Sequence, residues 1–297
     1  MKQPSIICFG EVLWDMLPSG KVAGGAPMNV AHHAKQLGAQ STMISSVGRD
    51  TLGDDLVDFL NDKGIPTHLV QRSETLPTSV VKVHLDEKGS ASYEIVERVA
   101  WDDIRITESM KAAVEHSDAL VYGSLVTRGE TAKASLQDLL QLAKLRVFDV
   151  NLREPFFSPT SIEVLLEQAD IVKTNDDELE LLTQWFAQSN DMPSMAHYLL
   201  DRFDLQKVIV TRGSHGAACR DHSGWYEHQG YPVRVKDTVG SGDSFLAGFL
   251  TSMLLGKSTL DCLDFGCAVG ALVATQSGGT PKVTPEMVQA FQKERKG

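Results

Sequence analysis

The stretch Asp237-Thr-Val-Gly-Ser-Gly-Asp-Ser-Phe245 sets one carboxylate behind two glycines that flank a small residue. Apolar residues follow at 245, 246, 249, 250, 253 and 254, the rhythm of a helix with one buried stripe, and Gly256 is a suitable stop. The spacing predicts a helix starting at about Ser241–Asp243. A helix start presents unpaired N–H groups and the positive end of the dipole, and glycine lets them close on an anion. Asp243 in that first turn can simply stabilise the helix N-terminus. Beside Gly240, Ser241 and Gly242 it can also act as a base next to a transferring phosphoryl group.

Five further polar clusters stand at element ends. Gly10-Glu-Val-Leu-Trp-Asp15 follows the buried run Ile6–Phe9, and Gly24-Gly-Ala-Pro-Met-Asn29 opens a helix that Gly38 closes. Without further context Asp15 reads as an exposed loop or edge charge, and the glycine pair as a tight turn. Phe148-Asp-Val-Asn-Leu-Arg153 ends a strand with several polar groups, where open α/β sheets place ligands, although turn and capping contacts would also explain it. Asn175-Asp-Asp-Glu178 has the spacing of a capping box. Thr211-Arg-Gly-Ser-His-Gly216 reads as a Gly-rich turn between strands.

The elements that must hold these groups alternate strand and helix from residue 119 to 211, with buried runs such as Val208-Ile-Val210. That alternation predicts a doubly wound, mostly parallel α/β sheet flanked by helices. The segments 79–85 and 90–97 alternate about a turn at 86–89 and are too polar on one side for a buried parallel strand. With 12–17 they predict a small exposed β flap. Thr259–Gln276 and Thr284–Lys296 read as the last two helices.

A chain of 297 residues that is 42% hydrophobic can bury a large core. Its formal charge of −11 argues against a nucleic-acid surface, while leaving room for a nucleotide held by local dipoles and a cation. The cysteines at 8, 219, 262 and 267 form no metal or redox spacing, so they read as buried small hydrophobes in a reducing compartment. No signal-length or membrane-length apolar run is present, so a cytoplasmic protein is expected.

The segment 237–245 resembles the C-terminal signature of the ribokinase-like (PfkB) carbohydrate kinases, with Ser241 where alanine is usual. Gly24-Gly25-x-x-x-Asn29 resembles their N-terminal signature, and Gly-Gly-Ala-Pro-x-Asn-Val-Ala is the form typical of fructokinases. Val99-Ala-Trp-Asp and Asp149-x-Asn-Leu-Arg153 point the same way, and the motifs fall in the family's order along nearly the whole chain.

The resemblance implies one ribokinase-like domain over 1–297, with a β-sheet lid built from about 11–20 and 79–100. It implies sugar binding by Asp15, Gly25, Asn29 and Arg153, with Asp243 as the base and Gly240, Ser241 and Gly242 around the phosphoryl group. Asn175, Glu178, Thr211, Gly213 and Gly216 would then face the nucleotide phosphates, Glu178 holding Mg²⁺ through water. Asp237 and the Val239 carbonyl would hold a monovalent cation, K⁺. The expected reaction is ATP-dependent phosphorylation of a sugar's primary hydroxyl, D-fructose first. 2-Keto-3-deoxygluconate, ribose or another sugar is the alternative. A catalytically silent sugar-binding regulator on the same fold is a rival that does not need the base. A dehydrogenase stands further off, because the third glycine and early βαβ setting of a dinucleotide fingerprint are missing, as is a P-loop. The exposed edges of the lid invite pairing between subunits as a homodimer.

Overall fold

The computed structural model describes residues 2–18, 20–85, 91–186 and 191–296. In chain order, β1 (Ser5–Phe9), β2 (Leu13–Leu17) and β3 (Gly20–Gly24) lead into α1 (Ala26–Gln36), β4 (Gln40–Gly48), α2 (Thr51–Asp62) and β5 (Val70–Ser73). Next come β6 (Val80–Leu85), β7 (Ala91–Ile95), α3 (Glu108–His116), β8 (Ala119–Gly123), α4 (Glu130–Leu140) and β9 (Arg146–Asp149). They are followed by α5 (Pro159–Glu167), β10 (Ile171–Asn175), α6 (Asp176–Phe186), α7 (Met192–Arg202) and β11 (Lys207–Thr211). The chain finishes with β12 (Ala217–Asp221), β13 (Gly224–His228), α8 (Ser241–Leu254), α9 (Thr259–Ala274) and α10 (Pro285–Lys296).

Nine strands form one sheet in the order β13-β12-β11-β10-β9-β8-β1-β4-β5. From β11 to β5 every pairing is parallel; only β12 and β13 run antiparallel, at one edge. The central strands are apolar on both faces because helices cover both, as a parallel sheet requires. The expected doubly wound sheet is therefore present. Strand β5 supplies one edge and was not foreseen, because Val70-Gln-Arg-Ser lacks a buried apolar run.

A second sheet of four strands, β3-β2-β6-β7, stands apart from the first. Strands β2 and β6, β7 were expected. Strand β3 was not, since Gly20-Lys-Val-Ala-Gly24 reads as turn residues before the helix. It pairs antiparallel with β2 from Leu13–Gly24 to Leu17–Gly20. The expected turn at 86–89 lies outside the described residues. Trp14 ties the small sheet to the body: its Nε1 donates to the Leu52 carbonyl at 2.9 Å, and its ring meets Phe59 edge-on.

The helix α8 differs from the expected single stripe, being buried continuously from Ser244 to Ser252. The residues between its apolar positions are small (Ala247, Gly248, Thr251, Ser252), so α1 and α9 pack closely around it. The segment Val99-Ala-Trp-Asp has a structural role of its own. Arg128 donates to both carboxylate oxygens of Asp102, at 2.7 and 3.1 Å, and its guanidinium lies 4.0 Å from the Trp101 ring centre. A bidentate, ring-stacked arginine of this kind pins the segment onto the end of the sheet.

Candidate active site

The strands β1, β9, β10 and β11 all point their carboxyl ends the same way, and the polar clusters lie just beyond them. Over this rim sits the start of α8. Its cap residue, Gly240, has φ +73°, and a Cβ there would fall 2.6 Å from the Gly279 Cα. Only glycine meets both demands. The Val239 N–H donates to Asp237 Oδ1 and the Ser241 N–H to the Thr238 carbonyl, so both are committed within the loop. Among the described residues the N–H groups of Gly240, Gly242 and Asp243 have no intramolecular acceptor. Of the expected set Gly240, Ser241 and Gly242, Ser241 therefore has no free N–H to offer an anion. Ser241 turns its hydroxyl away, to the Gly270 carbonyl at 3.0 Å.

Asp243 accepts a hydrogen bond from Asn29 Nδ2 at 2.8 Å, which joins the start of α8 to α1. At the head of α1, Gly25 (φ +117°) presses on the Glu11 carbonyl, where a Cβ would come within 2.4 Å. Glu11 is 3% exposed and caps the same helix, its Oε1 accepting from the Ala26 N–H at 3.2 Å. Burial pushes its carboxyl up to about 7, against the pull of its hydrogen bonds and Arg153, and the Asp243 charge adds to the rise. Asp15, on β2, lies over Gly24, with Oδ2 2.7 Å from where a Cβ would stand. Its carboxyl is raised by burial and lowered by Arg153.

The structure thus brings Asp15, Gly25, Asn29, Gly240, Gly242 and Asp243 together. Arg153 is exposed, its Nη1 donating to the Leu152 carbonyl at 3.0 Å, and its charge acts on Glu11, Asp15, Asp149 and Asp243. Asn175 and Glu178 form the reciprocal capping box: the Glu178 N–H donates to Asn175 Oδ1 at 2.7 Å, and the Asn175 N–H to Glu178 Oε2 at 2.9 Å. Glu178 Oε1 also accepts from the Leu152 N–H at 2.9 Å. Thr211 donates to the Thr174 carbonyl at 3.3 Å, and Gly213 and Gly216 form the tight turn from β11 into β12. Arg212 is spoken for by Glu227 at 2.8 Å, which explains its place in that turn. Asp237 accepts from the N–H groups of Val239 and Gly278, and so joins the 237–240 loop to the 277–279 loop.

Three participants were given no role of their own in the sequence reading, although Asp149 stood within the Asp149-x-Asn-Leu-Arg153 motif. Lys173 on β10 is 6% exposed and donates to Asp149 Oδ1 at 2.9 Å, with Asp149 itself 2% exposed. Burial alone would depress the Lys173 ammonium, but Asp149, Glu178 and Asp243 outweigh it and raise it. Asp243 is raised by burial, against Lys173, the Asn29 hydrogen bond and Arg153. The third is Gly279, which packs on both Gly240 and the Asn29 amide and accepts from His33 Nε2 at 2.9 Å. A lysine inside the apolar strand Ile171-Val-Lys-Thr was the available signal, since a charge in a central strand needs a partner.

Among the described residues no cluster of three or more His, Cys, Asp or Glu could hold a metal ion. The rim nevertheless fits a nucleotide-borne cation: each Glu178 oxygen accepts one backbone N–H group and keeps a lone pair that a cation-bound water could use. All four cysteines are free and buried, and no helix among the described residues is long and apolar enough to cross a membrane.

Residues 9–286 match the model of the pfkB family carbohydrate kinases. A probable fructokinase-5 of Arabidopsis thaliana is 31% identical, over 98% of each chain. The crystal structure of a fructokinase with bound ATP from Xylella fastidiosa superposes with a TM-score of 0.89 at 24% identity, over 99% of each chain. A fructokinase double mutant from Vibrio cholerae O395, in a fructose-, ADP- and potassium-bound form, gives 0.84 at 23% over 98% of each. At these identities the two superpositions speak to the fold: the same large sheet, flanking helices and small separate sheet.

Proposed function

The chain belongs to the pfkB family of carbohydrate kinases, an ATP-dependent sugar phosphotransferase family, and we propose that its substrate is D-fructose, converted to fructose 6-phosphate. The observation that carries this reading is the hydrogen bond from Asn29 to Asp243 beneath the open N–H groups of Gly240 and Gly242. It puts a sugar-side helix, a carboxylate and an anion cradle in one place. The named fructokinases among its relatives, including the 31% identical plant protein, favour fructose over 2-keto-3-deoxygluconate or ribose.

In this reading Asp15, the Gly25 backbone, Asn29 and Arg153 hold the sugar hydroxyls. Carboxylate oxygens accept from them and the arginine and amide N–H groups donate. Asp243 takes the proton of the primary hydroxyl as that oxygen bonds to the γ-phosphorus and the bond to the ADP oxygen breaks. The open N–H groups at the start of α8 and its dipole stabilise charge on the equatorial oxygens. Asn175, Glu178, Thr211, Gly213 and Gly216 face the nucleotide, and Glu178 would hold Mg²⁺ through water. That ion would neutralise phosphate charge. Asp237 and the Val239 carbonyl are the proposed holders of K⁺. The four-stranded sheet, 11–20 with 79–100, is the lid that keeps water from the phosphoryl group, completing one domain over 1–297. Subunits pair through its edges, and four free cysteines suit a reducing cytoplasm.

A coupled ADP-release assay over fructose, ribose, 2-keto-3-deoxygluconate, mannose and nucleosides, with and without K⁺, tests the substrate. Fructose should give the highest kcat/KM. Preference for another sugar overturns the fructose assignment, and sugar binding without turnover would leave a silent regulator instead.

A further inference from the structure

Asp243 is a half-buried carboxylate that must be ionised to accept a proton, and its desolvation works against ionisation. The helix dipole and one neutral amide are weak countermeasures on that scale. A full positive charge stands nearby. A Cβ on Gly242 would lie 3.3 Å from Lys173 Nζ, so the ammonium rests against the peptide immediately before Asp243. The lysine cannot swing away, because Asp149 holds it at 2.9 Å from the neighbouring strand, where β9 and β10 pair with Lys173 opposite Asp149.

Resting on the kinase reading above, we propose that Lys173 is a positioning residue for the reaction. Its ammonium, anchored by Asp149, keeps the Asp243 carboxylate ionised and aimed. Asp149 is the anchor, and one of its oxygens, Oδ2, is buried with no partner among the described residues. The pair costs desolvation that a structural role alone would not need, since two apolar residues would fill the same strand positions more cheaply. The other charges facing Asp243 are Asp149 itself, at the end of β9, Arg153, from the segment after β9, and Glu11, from the segment after β1; Glu178 faces Lys173 from α6. Arg153 is exposed and screened, and Asp149 and Glu11 are of the same sign as Asp243. Lys173 is therefore the charge that can offset the burial.

The test reads the carboxylate directly. Protein labelled with [¹³Cγ]aspartate is titrated by NMR, with Asp243→Asn assigning the resonance, in the wild type, Lys173→Met, Asp149→Asn and the double variant Asp149→Asn/Lys173→Met. The double variant leaves neither member of the Lys173–Asp149 pair as an unpartnered buried charge, which protects folding. Expected is an Asp243 midpoint raised by at least about one pH unit in Lys173→Met over the wild type and in the double variant over Asp149→Asn alone, a comparison that cancels the lost Asp149 charge, and near the wild-type value in Lys173→Arg. The acid limb of kcat/KM should move with it, while KM for sugar and ATP changes little. No shift between Asp149→Asn and the folded double variant overturns the proposal. Failure of the wild type to release ADP with any sugar would instead sink the kinase reading, and the titration would still decide what Lys173 does to Asp243.

Discussion

Asn29 Nδ2 donates to Asp243 Oδ2 across 2.8 Å, although 214 residues separate them in the chain. Neither side chain is special on its own helix. Joined, they fix one carboxylate between the head of α1 and the open N–H groups at the start of α8. Asp243→Asn keeps a group that can accept from Asn29 but removes the base. Steady-state kinetics should give a kcat lower by roughly 10²–10⁴-fold with an unchanged melting temperature. Near-normal turnover would remove Asp243 from the mechanism.

Asn29→Asp places a second carboxylate against the first. Two carboxylates at hydrogen-bond distance cannot both ionise freely. A pH–rate profile of this variant should show its acid limb displaced upward. In the wild type that limb should already lie above the range of an ordinary aspartate, since burial raises Asp243.

Gly240→Ala forces an L side chain into φ +73° and onto the Gly279 backbone. Urea titration should show a loss of at least about 1–2 kcal/mol. Activity per folded molecule should fall as well, because the loop that moves carries the open N–H groups.

Glu11 links the site to acid stability. Its carboxyl is raised to about 7, so the folded state holds the proton more tightly than the unfolded chain does. That contribution is complete below the ordinary glutamate range, fades as pH rises toward 7, and is gone above it. The melting temperature of Glu11→Gln minus that of the wild type should therefore grow from pH 4.5 to 7 and level off beyond. A difference independent of pH would show that Glu11 does not titrate in this window.

Arg128→Leu leaves the largely buried Asp102 side chain without its counter-charge and uncovers Trp101. Breaking such a pair costs on the order of 3–5 kcal/mol. Chemical denaturation should report that loss, with kcat of the remaining folded protein little altered.

The large sheet was legible because its strands are continuous apolar runs between helices with clear caps, as at Val208-Ile-Val210. The site motifs were legible because glycines and polar residues cluster at strand ends. Less visible were the strands β3 and β5, whose residues are polar or glycine and pair only because a neighbour offers an edge. Periodicity reports burial, and an edge strand has little of it. Lys173 was missed for the opposite reason: it sits within a good apolar strand, and its partner, Asp149, is 24 residues earlier. Only the parallel register of β9 and β10 makes them neighbours. Likewise nothing local told that Gly279 would roof Gly240.

The pairing of α1 with α8 has a consequence for synthesis. A ribosome adding about 5–20 residues per second needs on the order of ten seconds or more between Asn29 and Asp243. During that interval every parallel strand can emerge and pair, while one flank of α1 waits uncovered for a helix not yet made. Chaperone dependence should therefore peak late in translation, and phosphoryl transfer is the last property the newborn polypeptide acquires.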